Sequence, residues 1–108
     1  MVDANLRKAA EDFNKRCPVI VDNVLRYDSV TALSGKTIMH NCTIDADSVD
    51  VCVEKFDKIF TSQILNNIRT NPQLAYMRDA GITFIYRYND RNGVFLWEYT
   101  ATPEMYKE

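Results

Sequence analysis

The sequence is short of the residues that most often carry chemistry. It has three glycines and no Gly-rich run, which excludes a phosphate-cradling loop. It has one histidine and no Cys-x-x-Cys, which removes the usual zinc patterns and leaves no metal to expect. Its three cysteines, Cys17, Cys42 and Cys52, are an odd number and form no disulfide framework. No stretch approaches the roughly 18 apolar residues of a membrane-spanning helix, and the start, "MVDANLRKAAEDF", lacks the apolar core of a secretory signal. A basic surplus is missing too. The net charge is −2, and no basic run exceeds two residues (Arg7-Lys8, Lys15-Arg16), which argues against a general binder of nucleic acid or anionic membrane.

What is present has the make-up of an ordinary globular protein, with 46% hydrophobic and 26% charged residues. The 108 residues predict a single α+β domain spanning 1–108. At that size roughly 65% of the unfolded surface is buried, enough for one core. Residues 3–16 predict a helix capped by Asp3, with Leu6, Ala9, Ala10, Phe13 and Cys17 at three-and-four spacing. Pro18 stops it. Residues 19–33 are β-branched and aromatic and read as one long strand, bent near Asp22-Asn23. The turn "SGK" leads to a return strand at 37–44, whose Ile38, His40, Cys42 and Ile44 share the core face. Residues 45–70 hold the longest helix, with Asp47 or Ser48 as cap and Val49, Val53, Phe56, Phe60, Ile64 and Ile68 as its stripe. Asn71-Pro72 breaks it and opens a short helix that ends at Gly81.

The segment 82–102 reads as a hairpin rich in rings. A four-residue loop would place Tyr86 opposite Trp97 and Tyr88 opposite Phe95. One side would then hold Phe84, Tyr86, Tyr88, Phe95, Trp97 and Tyr99, and the other Ile85, Arg87, Leu96 and Glu98. A three-residue loop would mix the two faces. The first register segregates apolar from polar and is preferred, so the rings are read as core rather than as a stacking platform. The predicted order is α-β-β-α-α-β-β: a two-layer sandwich with a mainly antiparallel sheet of about four strands in two hairpins, and helices on one face.

Candidate chemistry is sparse. His40 is read as a half-buried core histidine. A Cys–His pair with Cys42 would need a thiolate within hydrogen-bond reach of the imidazole, and two positions on one strand face do not pre-aim it. The cysteines are either three reduced thiols or include a Cys42–Cys52 bridge, which would mean an oxidising compartment. Asp45, Asp47 and Asp50 suit helix capping better than calcium. Asn41-Cys42-Thr43 matches the glycosylation acceptor pattern. A ligand or partner surface is placed at Tyr86, Arg87, Tyr88, Trp97, Glu98 and His40, with the 89–93 loop beside it. No catalytic residue is assigned and no cofactor is expected.

Two long segments carry a resemblance. "FNKRCPVIVDNVLRYDSVTALSGKTIMHNCTI" and "NPQLAYMRDAGITFIYRYNDRNGVFLWEYTATPEMY" resemble the two halves of a family of small uncharacterised bacterial α+β proteins of unknown function, often exported or lipid-anchored. The resemblance implies a cell-envelope location and supplies no active site. Two function classes follow. The first is a non-catalytic module that binds another protein, with no nucleic acid and no membrane span involved. The second is a small-ligand binder or minor enzyme with a pocket between sheet and helices near Tyr86, Tyr88, Trp97 and His40. Intact mass of the protein from its host, before and after reduction and thiol labelling, tests the location. A processed or lipidated N-terminus, or two thiols that label only after reduction, is expected for the envelope. An unprocessed chain that starts at Met1 with three free thiols would mean the cytoplasm.

Overall fold

The computed structural model describes residues 3–107. Its helices are α1 (Ala4–Asn14), α2 (Val53–Thr70), α3 (Ala75–Asp79) and α4 (Pro103–Tyr106). Its strands are β1 (Val19–Ile20), β2 (Leu25–Leu33), β3 (Thr37–Ile44), β4 (Thr83–Asn89) and β5 (Phe95–Ala101). The fold is α+β, as the strand and helix patterns predict, but the sheet has five strands in the order β1-β2-β3-β4-β5 and is mixed. β3 and β4 run parallel, while the other three pairings are antiparallel. A parallel pair cannot be joined by a tight turn, so the chain between β3 and β4 crosses back over the sheet as α2 and α3.

The fifth strand comes from the 19–33 segment. The expected bend near Asp22-Asn23 is a full reversal. Asp22 Oδ1 accepts from the backbone N–H groups of both Val24 and Leu25 at 2.8 Å, which closes the turn. Val19 then faces Tyr27 and Ile20 faces Arg26 across an antiparallel pair. β1 is only two residues long, so it leaves most of the outer edge of β2 unpaired. Asn14, at the end of α1, fills part of that edge. Its amide donates to the Val30 carbonyl at 2.8 Å and accepts from the Val30 N–H at 2.7 Å, tying the helix to the strand.

The long helix begins later than the capping pattern predicts. Asp47 accepts from the Val49 N–H at 3.1 Å and supports a short 3₁₀ turn at Ser48–Asp50 instead. α2 starts at Val53 with Cys52 in the cap position, and the Cys52 side chain makes no cap hydrogen bond. Val49 and Val53 therefore fall outside the buried stripe, which runs through Phe56, Ile64 and Ile68. At the other end, Arg78 donates to the Ile68 and Asn71 carbonyls at 2.8 and 2.6 Å, satisfying acceptors that the helix end leaves free. Gly81 takes φ +71° just past α3, the left-handed value a helix end needs.

The β4–β5 hairpin keeps the predicted separation of faces along β4, but its register differs and two residues of β5 change sides. Tyr88 pairs with Trp97, Tyr86 with Tyr99 and Phe84 with Ala101. A bulge follows, and Asn89 pairs with Phe95. The extra residue, Leu96, turns inward beside Trp97, while Phe95 turns out and lies 4.7 Å below the Arg87 guanidinium. The expected places of Phe95 and Leu96 are thus exchanged, because a bulge sends two successive residues to one side. The turn is held by the buried Asp90, whose Oδ1 accepts from the Asn92 and Val94 N–H groups at 2.8 Å.

Both long helices cover the same sheet face. Phe13 of α1 meets Tyr27 and His40, and Phe56 of α2 meets Tyr88 and Trp97 edge-on at 5.4 and 5.1 Å. Trp97 Nε1 donates to Asp57 at 2.8 Å, so the indole is satisfied as well as buried. The sequence pattern ends the last strand at Pro103, and the structure adds α4 there. Tyr106 on α4 donates its hydroxyl to the Ile82 carbonyl at 2.7 Å and packs edge-on to Phe84. Replacing Asn14 by Ala removes both bonds to Val30. We expect a loss of about 1–2 kcal/mol in urea unfolding, with faster amide exchange in α1 than in α2.

Candidate functional site

α1 stands over β2 and α2 over β4 and β5, so the middle of the covered face lies under a gap between them. The gap is a cavity of about 620 Å³. Tyr27, Val30, Ile38, His40 and Tyr86 make its floor. α1 supplies one wall through Ala9 and Phe13, and Arg16 just past its end extends that wall. Asn67 and Asn71 at the end of α2, with Gln73, Leu74 and Met77 beyond, supply the other. A smaller hollow of about 250 Å³ adjoins it, sharing Tyr27, Asn67 and Tyr86, between the 21–24 turn and Phe60 and Ile64 of α2.

His40 sits at the centre of the floor and is 8% exposed. Its ring stacks on Tyr86 at 4.4 Å with an interplanar angle of 8°, while Phe13 meets it edge-on at 6.2 Å and Tyr27 lies tilted to it at 6.1 Å. The stack follows from register, because His40 and Tyr86 are partners across the parallel β3–β4 pair. His40 Nδ1 is buried with no hydrogen-bond partner. Burial lowers the imidazole from its ordinary 6.5 to about 4, against a smaller opposing effect of a hydrogen bond with the Ile85 backbone. The ring is therefore neutral at pH 7.

The structure divides the predicted surface. His40 and Tyr86 come together in the cavity, and Tyr88 borders the smaller hollow. Trp97 packs under α2, away from both. Arg87 and Glu98 lie opposite each other on the uncovered face, with Arg87 Nη1 3.8 Å from Glu98 Oε1. Arg16, Asn67, Gln73, Leu74 and Met77 do not stand out in the sequence, because no spacing rule links them to His40.

The cysteines are not arranged for nucleophilic chemistry. Cys17, Cys42 and Cys52 are all free, Cys42 fully buried on β3 and Cys52 exposed at the start of α2. Burial pushes the Cys42 thiol well up, which is the reverse of activation. Among the described residues no group of three or more His, Cys, Asp or Glu side chains could hold a metal ion. No helix among them is long and apolar enough to cross a membrane. Asn41, in the glycosylation pattern, donates to Ser29 at 3.1 Å on the uncovered face.

Residues 1–96 match the model of a domain of unknown function (DUF8479), and the chain belongs to that family. No curated protein matches the sequence. Among solved structures, the pilotin EpsS of the Vibrio vulnificus type 2 secretion system has a similar fold. Its TM-score is 0.77 at 10% identity, over 96% of this chain and 90% of that one. The type II secretion system pilotin AspS from Vibrio cholerae gives 0.71 at 15% identity, over 94% and 88%. A candidate secreted protein from Pseudomonas aeruginosa gives 0.71 at 13% identity, over 97% and 96%. At these identities the likeness is one of fold.

The buried imidazole makes stability depend on pH. An unfolded His40 takes up a proton near pH 6.5, whereas the folded one resists until about pH 4. Between those values the unfolded state binds more protons, so folding stability falls as pH falls, by up to about 1.4 kcal/mol per pH unit. Above pH 7 the effect is absent. Urea unfolding of the wild type and of His40→Phe checks this. We expect their stability difference to be flat above pH 7 and to move in favour of the variant from pH 6.5 down to 4.5.

Proposed function

We propose that this member of the DUF8479 family is a non-catalytic protein-interaction module of the bacterial cell envelope. The observation that carries the reading is an exposed apolar end of the molecule. Ile20 is 68% exposed, and Val21 and Val24 are exposed beside it on the β1–β2 turn. Val49, before α2, and Val53, its first residue, stand open as well. The two segments are joined, since the Asp45 N–H donates to the Val24 carbonyl at 2.8 Å. Apolar side chains left in water on two bonded segments of a small protein suit a docking surface. The adjoining hollow between the turn and α2 offers such a partner a recess.

The whole-length likeness in fold to two secretion-system pilotins supports the envelope and a partner belonging to a secretion assembly. The arrangement of His40 and the cysteines also favours binding over catalysis: the imidazole is sunk in the floor with Nδ1 unpartnered, and burial suppresses the Cys42 thiol. The six side chains singled out from the sequence fit this reading unequally. Arg87 and Glu98 would form a separate, polar face, whereas Tyr88 and Trp97 hold the sheet to α2 and His40 and Tyr86 border the cavity.

Site-specific photo-crosslinking in the native host tests the proposal. A photoreactive residue at Val21 is expected to trap an envelope protein, and one at Thr31 on the uncovered face to trap much less. Val21→Asp together with Val24→Asp should weaken capture by tenfold or more while leaving the unfolding midpoint nearly unchanged, because both side chains are already exposed. Equal trapping from both faces, or recovery of the chain in the cytosol alone, would sink the reading.

A further inference from the structure

The cavity between α1 and the end of α2 has a character different from the exposed valines. Its volume, about 620 Å³, is in the range of small-molecule sites and far above that of a packing defect. Its lining is mostly apolar and aromatic, with polar groups confined to a few positions. No acidic side chain lines it, and its one formal charge is the Arg16 guanidinium. Arg16 lies 5.2 Å over the Phe13 ring and makes no ion pair among the described residues. At the floor, His40 is more than nine-tenths buried: its ring borders the cavity, while its Nδ1 is sealed off beneath the surface.

These features describe a guest with two polar ends and a flat apolar body. We propose that the cavity binds a small aromatic carboxylic acid bearing an N–H or hydroxyl group. The carboxylate pairs with Arg16, and the ring lies among Phe13, Leu74 and Met77. The N–H or hydroxyl hydrogen-bonds to the His40 imidazole, which is neutral and so able to accept. Phe13 links the two anchoring groups: its ring centre is 5.2 Å from the Arg16 guanidinium carbon and 6.2 Å from the His40 ring centre. The polar ends are therefore no farther apart than those two steps together, which suits one or two fused rings with a short acid side chain. The aromatic floor and walls favour a ring over an aliphatic chain, since edge and face contacts add to simple burial. The site adjoins the recess beside the docking surface, sharing Tyr27, Asn67 and Tyr86 with it, but does not depend on the docking reading.

Titration of the full chain with three probes, read by calorimetry and by backbone amide shifts, tests this. Indole-3-propionate carries ring, carboxylate and N–H. Indole lacks the carboxylate, and 1-naphthaleneacetate lacks the N–H. The complete probe is expected to bind one-to-one and to shift amides of the cavity wall and floor. Loss of the carboxylate should cost about tenfold in affinity, as should Arg16→Gln, because a charge-assisted pair is removed. Loss of the N–H should cost several-fold, and His40→Phe should abolish the preference for indole-3-propionate over 1-naphthaleneacetate. Leu74→Trp, at a partly exposed wall position, should fill the cavity and block binding with the unfolding midpoint retained. No saturable binding of indole-3-propionate at millimolar concentration would overturn the proposal. So would affinity indifferent to both Arg16→Gln and Leu74→Trp. A chain that refuses the acid yet is cross-linked through Val21 overturns the ligand and leaves the protein-docking reading standing.

Discussion

The parallel pairing of β3 with β4 is the constraint on which the rest of the molecule depends. Antiparallel neighbours can be joined by a few residues, but parallel ones require the chain to return along the sheet before pairing again. Here the return is made by α2, the following 3₁₀ turn and α3. All of this mass lands on one face, where Phe56 locks onto Tyr88 and Trp97. α1, arriving earlier in the chain, is left to cover the β2 side and is tied there by Asn14. Neither helix lies over the middle of β3. The cavity above His40 is a consequence of that division.

Two irregularities shape the surfaces. The Asp22 turn folds a short strand back onto β2 and leaves Ile20, Val21 and Val24 in water. The bulge at Leu96 turns Phe95 outward, where it meets Arg87 on the uncovered face. Both rest on single carboxylates that accept two backbone N–H groups each, Asp22 before β2 and Asp90 before β5. A local side-chain acceptor thus decides where an apolar residue ends up. The rest of the uncovered sheet face mixes polar residues such as Asn41, Thr43 and Glu98 with the apolar pair Met39 and Ile85.

The covered face also explains why the molecule's one imidazole is inert as an acid or base near neutral pH. Stacking on Tyr86 and enclosure by Phe13 and Tyr27 exclude the water that would stabilise its charge. The same enclosure raises the thiol of Cys42 two positions along the strand. Groups that could be reactive in water are here disabled by burial, which is coherent with a binding role.

Local pattern determined much of this protein. Asp3 at the start of α1, Asn71 and Pro72 between the helices, and Gly81 after α3 act on neighbours within a few residues, so their roles follow from sequence alone. The alternation Ile38, His40, Cys42, Ile44 likewise names the buried side of β3, because a strand's period does not depend on what covers it. Only the tertiary structure decided the rest. Reversal rather than bending at Asp22, a 3₁₀ turn rather than helix at Asp47, and the bulge that exchanges Phe95 with Leu96 are choices between locally similar backbones. Local carboxylates close these turns, but the reversal and the bulge are defined only by the pairing of β1 with β2 and of β4 with β5. The meeting of Arg16, His40, Leu74 and Met77 around one cavity could not be read from spacing at all. It exists because a parallel crossover brings distant parts of the chain over the same strands.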